Sequence, residues 1–296
     1  MIDPDELSSR VAEVLGRRYA LTPLGVKCTY PVFRGETDGA APIFVKVGPK
    51  EEWTRTVNLL REIGDCGFFS RFLVDAPIEY RGSAVFVMEW RDSRIVFPED
   101  MSDRQVENFV AGCVKLSDAL QKAGGVLGMT SSAELAPERL YGIVADYAQR
   151  HRVAGRLLKG LLGIPAAERT FGSRPLAIIH GDFHSKNFGF SGDEFASVFD
   201  FDKLTQGLAC MDLANALLER FSCFGLSAVT RRRLAERTRY IVSKSPWPRE
   251  DFVIACNVVR FQFAARRIAK HPNSAWVALD ILRRDRKIRE FLACLD

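Results

Sequence analysis

Up to Trp90 the apolar residues follow strand-like alternation interrupted by single helices; beyond it they keep a helical period. Residues 5–18 carry apolar side chains at helical spacing. The stretches "CTYPVFRG" and "PIFVKVG" then read as two strands joined by "ETDGAA", in which Asp38-Gly39 is a hairpin signal. A helix follows over "EEWTRTVNLLREIG", with Trp53, Val57, Leu60 and Ile63 on one face and Gly64 as its stop. "FLVDAPIEYRGSAVFVMEW" supplies two further strands around the turn Tyr80-Arg81-Gly82-Ser83. Residues 20–90 therefore predict a small antiparallel sheet with one helix, and the change near Trp90 predicts a domain boundary, 1–90 against 91–296.

After the boundary, Ser102 and Gln105 stand at capping-box spacing ahead of a helix that runs to Gly124-Gly125. One or two helices follow in "SAELAPERLYGIVADYAQRHRVAGRLLKGLLG". The chain then passes through a short strand "LAIIH", a polar turn and a second short strand "FASVFDF". From Leu208 it is helical, with breaks at "SKSPWPRED" and "KHPNSA". With 47% hydrophobic residues the chain can build a core, and a net charge of +5 is too mild for a dedicated nucleic-acid binder. The opening "MIDPDELSSR" is acidic and has no apolar core of a signal peptide. No apolar run approaches the roughly 18–20 residues that a membrane span needs. Seven scattered cysteines without CxxC spacing read as reduced thiols, hence a cytoplasmic protein, and no clustered ligands suggest zinc.

The chemistry concentrates in "IHGDFHSKNFGF", residues 179–190, and in "FDFD", residues 199–202. Asp182 and Asn187 share one loop, and Asp200 ends the next strand. Asn187 and Asp200 offer hard oxygen ligands of the kind Mg²⁺ prefers alongside phosphate and water. Asp182 is left to accept a proton from an attacking hydroxyl. Metal ligands, a base and a cation on the phosphates are the parts phosphoryl transfer requires. His180, at the end of an apolar strand, reads as a brace of the loop. His184 and Lys186 read either as acceptor or phosphate contacts or as solvated loop residues, and Asp202 either as a second metal contact or as a cap.

This segment resembles the catalytic core of the aminoglycoside phosphotransferase and choline kinase-like family, relatives of protein kinases that phosphorylate small molecules. The family pattern H-G-D-x-x-x-x-N, followed by an Asp at a strand end, matches His180, Gly181, Asp182, Asn187 and Asp200. "GLACMDLANALL" is similar to the helix that follows the core, with Asp212 at its acidic position. The resemblance extends over most of residues 20–220. It implies an α+β, bilobal, protein kinase-like fold with a small antiparallel N-lobe sheet and a mainly helical C-lobe. It implies Asp182 as catalytic base, Asn187 and Asp200 as ligands of Mg²⁺, and ATP as phosphoryl donor. Lys46 in "PIFVKV" would be the ATP-phosphate lysine, Met88 would end the strand entering the adenine hinge, and Glu89, Trp90 and Arg91 would form the hinge. The chain departs from the pattern twice. The expected phosphate-covering loop, near "GVKCTYPV", holds the single glycine Gly25. The helix position nearest in phase for a carboxylate on Lys46 is Thr56, so Glu52, one turn earlier, is the candidate partner.

Gly181 stands where protein kinases carry the Arg that meets an activation-loop phosphate, and "DFDKLTQG" has no A-P-E-like continuation. A small-molecule hydroxyl acceptor is therefore expected. From Thr205 onward 17 Lys/Arg oppose 9 Asp/Glu. With Arg260, Arg266 and Arg267 near one helical face, this suits a neutral or anionic acceptor better than a polycation; a merely basic surface is the other reading. A catalytically weak or inactive nucleotide-binding scaffold and a protein kinase acting on a polypeptide remain the alternative functions.

Overall fold

The computed structural model describes residues 2–25, 30–63, 67–124, 136–222, 226–274 and 276–293, the side chains at 52, 55 and 202 excepted. The chain divides into two compact units, Met1–Arg94 with Ala196–Asp202, and Ile95–Phe195 with Lys203–Asp296.

The first unit opens with helix α1 (Pro4–Leu15), capped by Asp3, whose Oδ1 accepts from the Asp5 amide, and closed by Gly16 in the left-handed region. Strands β1 (Ala20–Pro23), β2 (Val32–Glu36), β3 (Ile43–Gly48), β4 (Ile78–Tyr80) and β5 (Ser83–Glu89) form one antiparallel sheet in the order β1-β2-β3-β5-β4. Arg81 and Gly82, with φ of 50° and 81°, make the two-residue turn between β4 and β5; two successive positive φ values match the right-handed twist of the strands. Alternation sorts the sheet residues onto two faces. Ile43, Val45, Val47, Val85 and Val87 pack with Leu7 and Val11 of α1. Ala84 and Phe86 pack with Trp53 and Val57 of helix α2 (Lys50–Ile63). On α2 it is Leu59 that is fully buried, whereas Leu60 and Ile63 are half-buried, so the apolar stripe lies slightly off the phase expected from sequence. The expected first strand starts later than Cys28, at Val32, and β1 precedes it; residues 26–29 of the expected phosphate-covering loop lie outside the described residues.

The second unit is mainly helical: α3 (Asp103–Gly124), α4 (Pro137–Arg150), α5 (Arg152–Leu157), α6 (Lys159–Leu162), α7 (Met211–Ser222), α8 (Ala228–Lys244), α9 (Arg249–Lys270) and α10 (Trp276–Ala293). The capping box forms reciprocally: the Gln105 amide donates to Ser102 Oγ at 3.1 Å, and the Ser102 amide donates to Gln105 Oε1 at 2.9 Å. Ser102→Ala is expected to cost about 1 kcal/mol, read as a lower midpoint in urea with an unchanged slope. Helix α9 is buried on nearly all sides, against α4, α7 and α10. Among the described residues, four short strands interrupt the helices. β6 (Ala177–Ile179) pairs with β9 (Thr205–Gly207), and β7 (Phe188–Ser191) pairs with β8 (Glu194–Val198), within which the division between the units falls. The sequence reading contained neither β7 nor β9. The polar turn after "LAIIH" is therefore followed by its own hairpin, and β6 pairs with a strand beyond "FDFD".

Candidate active site

Within the second unit, the antiparallel register of β6 and β9 sets Ile179 opposite Thr205. The loop leaving β6 consequently runs beside the segment entering β9, which starts with Lys203. The approach is so close that a Cβ on Gly181 would lie 2.1 Å from the Lys203 carbonyl oxygen, and Gly181 has φ of 75°. Both conditions demand glycine. The loop is clamped from α7. Asp212 is buried and accepts from the backbone amides of His180 (2.7 Å) and Gly181 (3.1 Å). One turn on, Asn215 Nδ2 donates to the Phe183 carbonyl at 3.1 Å. Burial pushes the Asp212 carboxyl above the ordinary Asp value, and the charge of His180 and the two amide bonds only partly oppose this. The apolar residues of the same loop are anchors. Phe183 and Phe188 are fully buried, 5.0 Å apart by ring centroid, and both pack on Phe109 of α3. His180 is also fully buried, edge-on to Phe183, in keeping with a bracing role.

This scaffold fixes the polar groups. Asn187 Nδ2 donates to the Asp182 carbonyl at 2.9 Å, which turns the amide's oxygen end away from that bond. The Asp182 carboxylate, 14% exposed, accepts from Lys203 Nζ on Oδ2 at 2.6 Å and from Arg266 Nη1 of α9 on Oδ1 at 3.2 Å. Arg266 Nη2 also reaches the Gly181 carbonyl, at 3.4 Å. His184 Nε2 lies 3.9 Å from Oδ2, while its Nδ1 accepts from the Lys186 amide. Burial pushes the Asp182 carboxyl up, but the hydrogen bond and charge of Lys203, with the charges of Arg266 and His184, outweigh it and hold the group below its ordinary value. Burial pulls the His184 imidazole down, against the charges of Asp182 and Glu219. Asp182 is thus an ionised carboxylate at neutral pH on a loop with little freedom to move.

Lys203, which contacts Asp182, was not among the residues singled out in the sequence; its signal was a lysine immediately after "DFD". The three arginines grouped on α9 have separate fates. Arg266 reaches Asp182. Arg260 is buried in an ion pair with Asp285 (Nη2–Oδ1 2.6 Å) and also donates to Asn257. Arg267 pairs with Asp280 at 2.6 Å.

In the first unit Lys46 stands on the α2-facing side of β3, paired in register with Phe86. Its Nζ lies 3.1 Å from Asp200 Oδ1 and 5.4 Å from the centre of the Tyr30 ring. Asp200 adopts φ of 65°, and among the described residues only Arg81 shares a positive φ without being glycine. Such a backbone persists only where its surroundings impose it. Here Phe201 packs edge-on to Phe69, the Val198 amide donates to the Phe68 carbonyl, and Ser197 bonds Ser93. Arg91 ties the same segment together, donating to the carbonyls of Gly67 (2.6 Å), Phe69 (2.7 Å) and Ala196 (3.4 Å). Its guanidinium is therefore a backbone clamp. Met88 pairs with Phe44 and bridges to Phe72. Glu89 holds Arg71 (Oε1–Nη2 2.8 Å), and the amides of Glu89 and Trp90 donate to the carbonyls of Arg71 and Pro42. Trp90 stacks under the Arg34 guanidinium at 4.8 Å. Glu52 belongs to α2, but its side chain lies outside the described residues. Asn187 lies in the second unit and Asp200 in the first; each carries a hard oxygen donor, an amide oxygen and a carboxylate respectively.

The model of the phosphotransferase enzyme family matches residues 30–252. No curated protein matches the chain by sequence. Solved structures share its fold. A spectinomycin phosphotransferase in complex with ADP and spectinomycin superposes with a TM-score of 0.63 at 10% identity, over 99% of this chain and 98% of that one. An amicoumacin kinase in complex with AMP-PNP, Ca²⁺ and Ami gives 0.60 at 12% identity, over 98% and 94%. An ethanolamine kinase of Plasmodium vivax gives 0.58 at 11% identity, over 93% and 83%. The fold is accordingly α+β and protein kinase-like, with an antiparallel sheet in one unit and helices dominating the other.

Proposed function

The chain belongs to the phosphotransferase enzyme family, and from that premise we propose that it moves the γ-phosphoryl group of Mg-ATP to a hydroxyl of a small, neutral or anionic acceptor. The observation that carries this reading is the state of Asp182: ionised, largely buried, and held on a loop whose backbone Asp212 and Asn215 clamp from behind. In the proposed reaction Asp182 accepts the acceptor's hydroxyl proton as the oxygen attacks. Asn187 and Asp200 would hold Mg²⁺, which when bound offsets charge on the phosphates. Lys46, oriented by Asp200 and with Glu52 as its candidate helix partner, would bind the nucleotide phosphates. Met88, Glu89, Trp90 and Arg91 would frame the adenine, Arg91 by fixing the segment's path. The nucleotides in the spectinomycin phosphotransferase and amicoumacin kinase complexes support ATP as donor. Domains 1–90 and 91–296 would then serve as nucleotide-binding and catalytic parts.

Lys46→Met is expected to weaken Mg-AMP-PNP binding roughly ten- to a hundredfold, the worth of one charged hydrogen-bonding partner. Calorimetric titration of wild type and variant measures this, and equal affinities would remove Lys46 from the nucleotide site. A second reading, a nucleotide-binding protein without transfer, is favoured by the engagement of both Asp182 oxygens with cations. Release of ADP in the presence of hydroxyl acceptors, absent without them, separates the two.

A further inference from the structure

Two cations converge on one carboxylate at Asp182, and neither is consumed by it. Lys203 and Arg266 are 54% and 38% exposed, against 14% for Asp182. Ion pairs this open to water add little to stability, so packing alone gives no reason for both. The ammonium of Lys203 has three donors, of which Asp182 takes one; the Arg266 guanidinium has five, of which Asp182 and the Gly181 carbonyl take two. Asp212 is turned to the backbone amides of His180 and Gly181 and bonds neither cation among the described contacts. The ammonium and the guanidinium at the base therefore keep donors that Asp182 and the Gly181 carbonyl do not take.

We propose that Lys203 and Arg266 form an oxyanion subsite beside Asp182 that binds an anionic group, carboxylate or phosphate, carried by the acceptor. This rests on the reading of Asp182 as the catalytic base. A guanidinium and an ammonium side by side match a planar or tetrahedral oxyanion with several donors, and they disfavour a polycationic acceptor.

The probe is inorganic phosphate, titrated by thermal shift at constant ionic strength into the full chain already saturated with Mg-AMP-PNP. Wild type is expected to bind it. Lys203→Met and Arg266→Met are expected to weaken binding by about tenfold each, with Lys203→Arg retaining it. Arg232→Gln, on the exposed face of α8, should leave it unchanged. Phosphate binding that vanishes when Mg-AMP-PNP is present would assign the subsite to the nucleotide's terminal phosphate and overturn the acceptor proposal. Binding that survives in Lys203→Met would overturn the subsite itself. If Mg-AMP-PNP gives no shift of its own, the phosphotransferase reading fails separately. The phosphate titrations without nucleotide then still decide the subsite, by the loss or survival of binding in Lys203→Met.

Discussion

Asp182→Ala is expected to lower phosphoryl transfer by about 10²- to 10⁴-fold, the range for loss of a positioned general base, while Mg-AMP-PNP affinity stays near that of wild type. The proposed nucleotide contacts, Lys46 and residues 88–91, belong to the first unit, whereas Asp182 belongs to the second. Release of ADP reads the first quantity and calorimetric titration of Mg-AMP-PNP the second. The substitution also has a pH signature in stability. The folded-state pKa of Asp182 lies below its ordinary value of 3.8. Its ionised form therefore stabilises the fold above that value, and the contribution is lost as pH falls through the lower, folded-state pKa. The difference in Tm between wild type and Asp182→Ala should be constant near neutral pH and shrink in acid. A difference that grew in acid would contradict the ionised state assigned to this carboxylate.

Gly181→Ala is expected to damage both stability and activity, for a reason that a matched control isolates. A residue with a side chain at φ of 75° costs of the order of 1–3 kcal/mol. Gly181 adds a second penalty, because its Cβ would meet the Lys203 carbonyl at 2.1 Å. Neither partner yields easily. The β6–β9 register holds one side, and the bonds from the His180 and Gly181 amides to Asp212 hold the other. Relief must therefore displace Asp182 from Lys203, and misplacement by about 1 Å costs on the order of 10²-fold in rate. Gly192 has φ of 58° and nothing within 4 Å of the same position. Gly192→Ala should lose stability through strain alone and keep its turnover. If both variants were equally active, the close approach at Lys203 would carry no functional weight.

Periodicity made the large elements legible, and short-range chemistry made their ends legible. The Asp38-Gly39 and Arg81-Gly82 turns, the capping box at Ser102 and the breaks before Arg249 and Trp276 all depend on neighbours a few residues away. What escaped depends on partners far along the chain. β1 is an edge strand of four mostly exposed residues, with no apolar alternation to announce it. β9 has three residues, too few to show a period, and yet its pairing with β6 is what sets Lys203 beside Asp182. Helical phase grouped Arg260, Arg266 and Arg267, but phase says nothing about Asp285 and Asp280 on α10, which claim the first and third. The loop "IHGDFHSKNFGF" drew notice in the sequence for its oxygen donors. Its phenylalanines, which bury the loop's frame against Phe109, were visible only as apolar letters.

Under the proposed function, one chain brings a nucleotide, a divalent ion and Asp182 into a single phosphotransferase site. A crystal structure of the protein with Mg²⁺ and AMP-PNP tests it most directly. The result expected is an ion coordinated by Asn187 Oδ1, an Asp200 oxygen and phosphate oxygens, with Lys46 on the phosphates and the γ-phosphoryl group facing Asp182. Nucleotide bound away from Lys46, or an ion held by neither Asn187 nor Asp200, would contradict it.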